Sequence, residues 1–310
     1  MHPRRPSKSP TDREPSVHAR PDATAVRFVS MTAPTGHASF ITDDGLRLYT
    51  QRWEPDARPQ AVVALVHGYG EHSGRYDHVA QVFVEQGAAV HAYDQRGYGR
   101  SDGPRAYVDD FDRYLDDLAQ FLGRVQKQQP DRPLFLFGHS MGGLVVLKYV
   151  LDRHPSVRGL VLSGPAIEIN PDLAPLLRRA AQVLGRLFPT LPTTRSPEGA
   201  ISRDPEVVEE AKNDPLNYHG RVLARTGAEM LRAGEAVRGR LGAVTDPFLV
   251  LHGTADTLAS PEWSEHLYER AASDDKTIKL YDGLYHETFN EPERATVLND
   301  LKEWIGARLP

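Results

Sequence analysis

The chain contains no cysteine in 310 residues. Disulfides, thiolate metal sites and cysteine nucleophiles are excluded together, so any covalent nucleophile must be another group. Nowhere does an apolar run approach the ~18 residues that a membrane-spanning helix needs, and the opening MHPRRPSKSP lacks the apolar centre of a signal peptide. The expectation is a cytoplasmic protein. Positive charge is not in excess either: 37 Lys and Arg against 42 Asp and Glu give a formal net charge of −5, so nucleic acid is not an expected partner. What is present, 40% hydrophobic and 25% charged residues, suits a chain that buries one or two cores.

Residues 1–35 open with Pro3, Pro6, Pro10, Pro15 and Pro21 among basic side chains and offer little to bury, which reads as a disordered tail. From residue 36 the pattern changes. Phe40-Ile41, the turn Asp44-Gly45 and the alternating Leu46–Trp53 read as an antiparallel hairpin. Short continuous apolar runs follow at 61–66, 88–93, 133–137, 157–162, 247–251 and 277–281, each bounded by Gly, Asp or Pro, as buried parallel strands are. Helical patterns lie between most of them; Val108, Phe111, Leu115, Leu118, Leu122 and Val125 make one stripe. Alternating strand and helix predict an α/β fold, an open and mostly parallel sheet covered on both faces, with ligands at the strands' carboxyl ends. Ser260-Pro261-Glu262 and Asn290–Glu293 read as capped helix starts.

The alternation stops for about 80 residues after Leu162, which predicts a helical insertion, a cap or lid over residues 164–242 dividing a core of 36–163 and 243–310. Within it Asn170-Pro171 and Asp204-Pro205 mark helix starts, and Leu173, Leu176, Leu177, Ala180, Val183, Leu184 and Leu187 form a stripe opposite Arg178, Arg179 and Arg186. Such a helix can close a pocket, touch a membrane surface transiently, or simply pack on the core. Nothing in the pattern specifies an oligomeric state.

The run ending at Phe137 leads into Gly138-His139-Ser140-Met141-Gly142-Gly143 and then an apolar helix. A serine on such a strand-turn-helix elbow has a strained backbone, and neighbouring chain passes so close that only glycine fits on either side. Chance produces Gly-x-Ser-x-Gly about 0.1 times in a chain of this composition. Context sharpens it, because the hydroxyl needs a base and the base an orienting acid, in the order Ser, acid, His. Asp256 lies just past the strand 247–251, whereas Asp246 lies at its wrong end; His286 follows the strand 277–281, and His266 lies mid-helix. The expected catalytic set is Ser140, Asp256 and His286. Oxyanion donors are expected at the N–H of Met141 and, from the loop His67-Gly68-Tyr69-Gly70, the N–H of Tyr69.

Competing readings fare worse. That loop lacks the spacing of a phosphate cradle, and His286-Glu287 lacks a second histidine at position 290 for a zinc-protease helix, so no cofactor or metal is expected. Haloalkane dehalogenase and epoxide hydrolase chemistry would want Asp at position 140. A non-catalytic binding module would not need the trio.

Five segments, namely His67-Gly-Tyr-Gly-Glu-His-Ser-Gly-Arg-Tyr76, Asp94-Gln-Arg-Gly-Tyr-Gly-Arg-Ser-Asp-Gly103, Gly138–Gly143, Ile201-Ser-Arg-Asp-Pro-Glu206 and Tyr285-His286, resemble the monoacylglycerol lipases of the α/β-hydrolase fold, especially bacterial ones, over residue 36 to the C-terminus. The resemblance implies a small-molecule lipid ester as partner, cleaved to fatty acid and glycerol, with a mobile lid over an apolar acyl tunnel. It further implies that Glu71, Arg75 and His139 receive the glycerol end. Lysophospholipase, general carboxylesterase and peptidase activities share the same trio. Two positions depart from the family pattern: Ala211 stands where Tyr is frequent, and Tyr69 where a small residue is commoner.

Overall fold

The computed structural model describes residues 33–169, 175–195, 197 and 199–310. The tail reading for 1–32, the helix start at Asn170-Pro171 and the side chains of Leu173, Leu176 and Leu177 lie outside them.

Strands β1 (Gly36–Ile41) and β2 (Arg47–Trp53) pair antiparallel around a turn in which Gly45 takes φ 92°. The remaining strands are β3 (Ala61–Val66), β4 (Ala88–Tyr93), β5 (Leu134–His139), β6 (Gly159–Ser163), β7 (Phe248–Gly253) and β8 (Lys276–Tyr281). The eight form one sheet in the order β1-β2-β4-β3-β5-β6-β7-β8, antiparallel only at β1-β2 and β2-β4. Every residue of β3 to β7 is buried, which is why their sequences run apolar without alternating. Along β3 the side chains divide: Val62, Ala64 and Val66 join one core cluster, and Ala61, Val63 and Leu65 the other. Helices α1 (Asp77–Glu85) and α8 (Arg294–Gly306) cover the second face, while α2 (Asp112–Gln128) and α3 (Met141–Arg153) cover the first.

Between β6 and β7 stand three α-helices, a short 3₁₀ turn (Leu241–Ala243) and no strand among the described residues: α4 (Pro175–Leu187), α5 (Pro205–Asn213) and α6 (Ala224–Arg238); α7 (Pro261–Arg270) follows β7. The Asp204 carboxylate caps α5 by accepting from the Glu206 N–H at 2.9 Å. Helix α6 is tied to the main body, since Met230, Ala233 and Val237 belong to the first core cluster.

Several expected details differ. Val108 and Phe111 are buried, yet they precede α2, which begins at Asp112 where the Asp110 carboxylate accepts the backbone N–H. Ser260 occupies the cap position of α7 without a side-chain cap; its N–H instead donates to the Glu168 carbonyl. No helix starts at Asn290, because that residue closes a 3₁₀ turn and spends its amide on Glu287; α8 begins at Arg294. On α4, Val183 and Leu187 are exposed at 59% and 65%, so these two stripe positions do not lie on the face packed against α6. Gly185 provides that face: a Cβ there would lie 2.7 Å from the Ala224 carbonyl and 2.8 Å from the Ala228 Cβ of α6.

Candidate active site

Ser140 sits between β5 and α3 with φ 53° and ψ −119°, a conformation that costs an L-residue about 1–3 kcal/mol. The surroundings fix it. Its N–H donates to the Ser163 carbonyl at the end of β6, and its own carbonyl accepts from Ala166 and Leu144. The flanking glycines have a steric cause: a Cβ at Gly138 would lie 2.6 Å from the Gly142 carbonyl, and one at Gly142 would meet the carbonyl oxygens of Val66 and His67, the latter at 2.5 Å. The half-buried Ser140 thus stands at the carboxyl edge of the sheet, at the cap position immediately before α3.

Asp256 and His286 meet directly. The His286 Nδ1 donates to Asp256 Oδ2 at 2.6 Å, both side chains being nearly inaccessible. Asp256 Oδ1 accepts from the backbone N–H of Leu258 and Ala259, at 2.7 and 3.1 Å. Burial would raise the Asp256 pKa, but His286 and His252 override it and hold the carboxyl well below the usual range. Burial likewise opposes the charge on His286, yet the Asp256 carboxylate outweighs it, so the imidazole pKa lies above its ordinary value. Such a histidine takes up a proton readily and keeps Nε2 for the reacting group.

Ser140 and His286 flank one backbone turn. Ser163 and Ala166 bond the Ser140 backbone, and a Cβ added to the intervening Gly164 would lie 3.2 Å from His286 Nδ1. Among the described residues no hydrogen bond joins the Ser140 hydroxyl to the His286 ring. Hydrogen bonds between a nucleophile and its base are commonly long without substrate and tighten with it.

The loop after β3 comes against the same serine. A Cβ at Gly68 would lie 3.1 Å from Ser140 Cβ and 2.7 Å from Glu71 Oε1. Among the described residues the N–H groups of Tyr69 and Met141 donate to no protein acceptor; Met141, as first residue of α3, has no intrahelical partner. The Tyr69 ring packs edge-on against Tyr98 and Tyr218, and Tyr218 donates its N–H to the Gly70 carbonyl, tying this loop to the segment after α5.

Glu71 and His139 close around Gly68 together with Ser140, and Arg75 is held behind Glu71; their polar atoms are already engaged. Glu71 Oε1 accepts from the Gly68 N–H and the Tyr76 hydroxyl at 2.5 and 2.6 Å, and Oε2 from Arg75. Arg75 makes a two-pronged pair with Glu287 at 2.7 and 2.8 Å. His139 Nδ1 lies 3.1 Å from both the carbonyl and hydroxyl of Ser163, and its ring centre is 4.8 Å from that of His286. Burial and the neighbouring His286 push the His139 pKa down to about 4.

Two contributors escape a reading of the sequence. His252, four residues before Asp256, bonds the same carboxylate, and Glu287, next to His286, anchors Arg75. The close placement of His252 and Asp256 at one strand end is the signal that could have found the first. Asp246 lies before β7 and His266 within α7, as expected. Cavities of about 260 Å³ beside β1 and α2 and about 220 Å³ beside Asp246 are not lined by Ser140, Asp256 or His286. Among the described residues no group of three or more His, Asp or Glu side chains is arranged to hold a metal ion, and no helix is long and apolar enough to cross a membrane.

Comparison with known proteins places the chain in a family. Residues 57–293 match the family described as serine aminopeptidase, S33. The chain is 41% identical over 271 residues to a monoacylglycerol lipase of Mycolicibacterium smegmatis, covering 87% of this chain and 97% of that protein. Among solved structures it superposes on Paleococcus ferrophilus monoacylglycerol lipase with a TM-score of 0.76 at 32% identity, covering 84% of this chain and 99% of the other. A soluble variant of Saccharomyces cerevisiae monoglyceride lipase in complex with a substrate analogue gives a TM-score of 0.80 at 25% identity over 90% and 96%. The chain belongs to this family of α/β hydrolases, among its monoacylglycerol lipase relatives, and is a serine ester hydrolase.

Proposed function

We propose that this protein hydrolyses monoacylglycerols to fatty acid and glycerol through an acyl-enzyme on Ser140. The observation that carries the reading is the 2.6 Å bond from His286 to Asp256 beside the strained Ser140 elbow, supported by similarity along nearly the whole length of a monoacylglycerol lipase. Ser140 Oγ attacks the ester carbonyl while His286 Nε2 takes its proton. Asp256 holds the proton on Nδ1 and stabilises the imidazolium that forms. The carbonyl oxygen, now anionic, is received by the N–H groups of Tyr69 and Met141. Collapse of the tetrahedral intermediate breaks the bond to the glyceryl oxygen, which takes the proton from His286 and leaves. Water then gives a proton to His286 and attacks the acyl carbon, and a second collapse returns the proton to Ser140 with release of the fatty acid.

In this reading the glycerol end falls on the polar side, toward Glu71 and His139 and the Arg75 that pairs with Glu71, a reading supported by the closeness of Glu71, His139 and Ser140 around Gly68. The acyl chain falls under the segment 164–242, which acts as cap. Val183, Leu187, Phe188 and Leu191 are exposed at 43–65% on or just past α4, and they provide transient contact with a lipid surface, from which the substrate is drawn. A panel of one monoacylglycerol, one lysophospholipid, one short-chain ester and one aminoacyl amide tests the assignment. The monoacylglycerol is expected to give the highest kcat/KM, at least about tenfold above the others, a discrimination worth ~1.4 kcal/mol. A higher value for any of the other three would overturn it.

A further inference from the structure

His252 stands at the end of β7 with its ring wholly inaccessible. Its Nε2 lies 3.0 Å from Asp256 Oδ2 and 3.3 Å from the Ala259 carbonyl. Facing two acceptors, that nitrogen carries a proton. On the other side Nδ1 lies 2.7 Å from the hydroxyl of Ser264, a buried residue of α7, which can supply the complementary donor. The ring is therefore held at both nitrogens, between the carboxylate and a helix.

The consequence lies in which oxygen the two histidines share. Oδ2 of Asp256 accepts from His286 at 2.6 Å and from His252 at 3.0 Å, while Oδ1 is taken by two backbone N–H groups. A carboxylate oxygen offers two lone-pair directions, so His252 occupies the one that His286 leaves. The second donor prevents the carboxylate from rotating away from His286. It also withdraws charge that would otherwise stabilise the imidazolium.

We propose that His252 is a positioning residue for the catalytic histidine, fixing the Asp256 carboxylate and moderating the basicity of His286 through the oxygen that both rings share. This rests on the reading of Ser140, Asp256 and His286 as the reacting set. The remaining charged and titratable groups facing His286 are His139 from the end of β5, Glu71 and its partner Arg75 from the loop after β3, and Glu287 on its own loop. None of them is altered when His252 is changed.

The test measures the rate of Ser140 labelling by a fluorophosphonate from pH 5 to 9, which reports the base without involving an ester substrate. For His252→Leu the expected result is a loss of labelling rate on the order of 10- to 100-fold, as for other outer partners that orient a reactive group. The acid limb moves to higher pH by on the order of half to one unit, because Asp256 then bonds His286 alone. His252→Gln, which restores an amide donor at the depth of Nε2, recovers most of the rate and returns the limb toward that of the unaltered protein. A merely structural role would lower folded yield and leave the limb where it was, and that outcome overturns the proposal. Should His252→Leu fail to fold, Ser264→Ala, which unties the ring from α7, decides by the same limb: an upward displacement supports the proposal, and none refutes it. Absence of labelling at Ser140 in the unaltered protein would instead overturn the reading of the reacting set itself.

Discussion

Asp256→Asn exchanges one oxygen for an NH₂ group of nearly the same size, and the hydrogen bonds around Asp256 determine its effect on His286, the proposed base. The carboxylate accepts four bonds, two from the backbone N–H groups of Leu258 and Ala259 and two from the rings of His286 and His252. An amide has one acceptor oxygen. Placed toward the rings, that oxygen would turn the NH₂ against two buried backbone donors, at about 1–3 kcal/mol for each donor left unmet. Placed toward the backbone, it sets the NH₂ against the rings; His286 can answer by moving its proton from Nδ1 to Nε2, and His252 keeps its Nε2 proton on the Ala259 carbonyl. The second arrangement is cheaper, and it removes the lone pair that must take the Ser140 proton. The expected loss is on the order of 10⁴ in kcat/KM, about 5.5 kcal/mol at 1.36 kcal/mol per decade. KM should change little, because Asp256 touches no substrate. Initial rates with a soluble p-nitrophenyl ester, beside circular dichroism to confirm folding, measure both. Asp246→Asn, before the same strand, serves as the control and should stay within a few-fold of the unaltered protein. A folded Asp256→Asn variant within tenfold of the unaltered rate, or an equal loss for Asp246→Asn, would refute the reasoning.

Other expectations rest on the same geometry. Gly142→Ala drives a Cβ into the carbonyl oxygens of Val66 and His67, so the elbow must shift; activity should fall at least 10²-fold, since a misplacement of about 1 Å costs that much, and near-normal rates would show that the close approach is dispensable. With His286 as the proposed base and its pKa raised above the ordinary 6.5, kcat/KM should rise with pH through a midpoint above 6.5; a midpoint at or below that value contradicts the role of Asp256. Gly185→Leu forces α4 away from Ala224 and Ala228 of α6. If the cap walls the acyl chain, long-chain monoacylglycerols should lose several-fold more activity than butyryl esters, at ~0.8 kcal/mol per buried CH₂ no longer covered, whereas equal losses would remove the cap from the acyl site.

Legibility of the sequence followed burial. β3 and β4 run over the residues expected, and β5, β6 and β7 within two, because strands covered on both faces are written as continuous apolar runs bounded by turn residues. The elbow was legible through Gly138 and Gly142, whose missing Cβ atoms record a contact with distant chain. Helix boundaries were less so. Asn290 has the chemistry of a cap, yet it bonds Glu287, and nothing local reports that a carboxylate from the histidine loop claims it. On α4 the apolar period leaves open whether the helix closes a pocket, touches lipid or packs on the core; the contact with α6 is made at Gly185, whose small size fits closely, and Val183 and Leu187 stay outside. Glu287 is invisible as a contributor because its meaning lies in a pair with Arg75 across 212 residues of chain, whereas His252 is betrayed only by its nearness to Asp256.

The most direct measurement is the release of glycerol from a 1-monoacylglycerol by the Ser140→Ala variant, compared with the unaltered protein at equal folded concentration. The account predicts a rate several orders of magnitude lower, with unchanged circular dichroism and at most the residual ~10³–10⁴ over water that binding and the oxyanion donors supply. Glycerol released at a rate close to that of the unaltered protein would mean that another group attacks the ester.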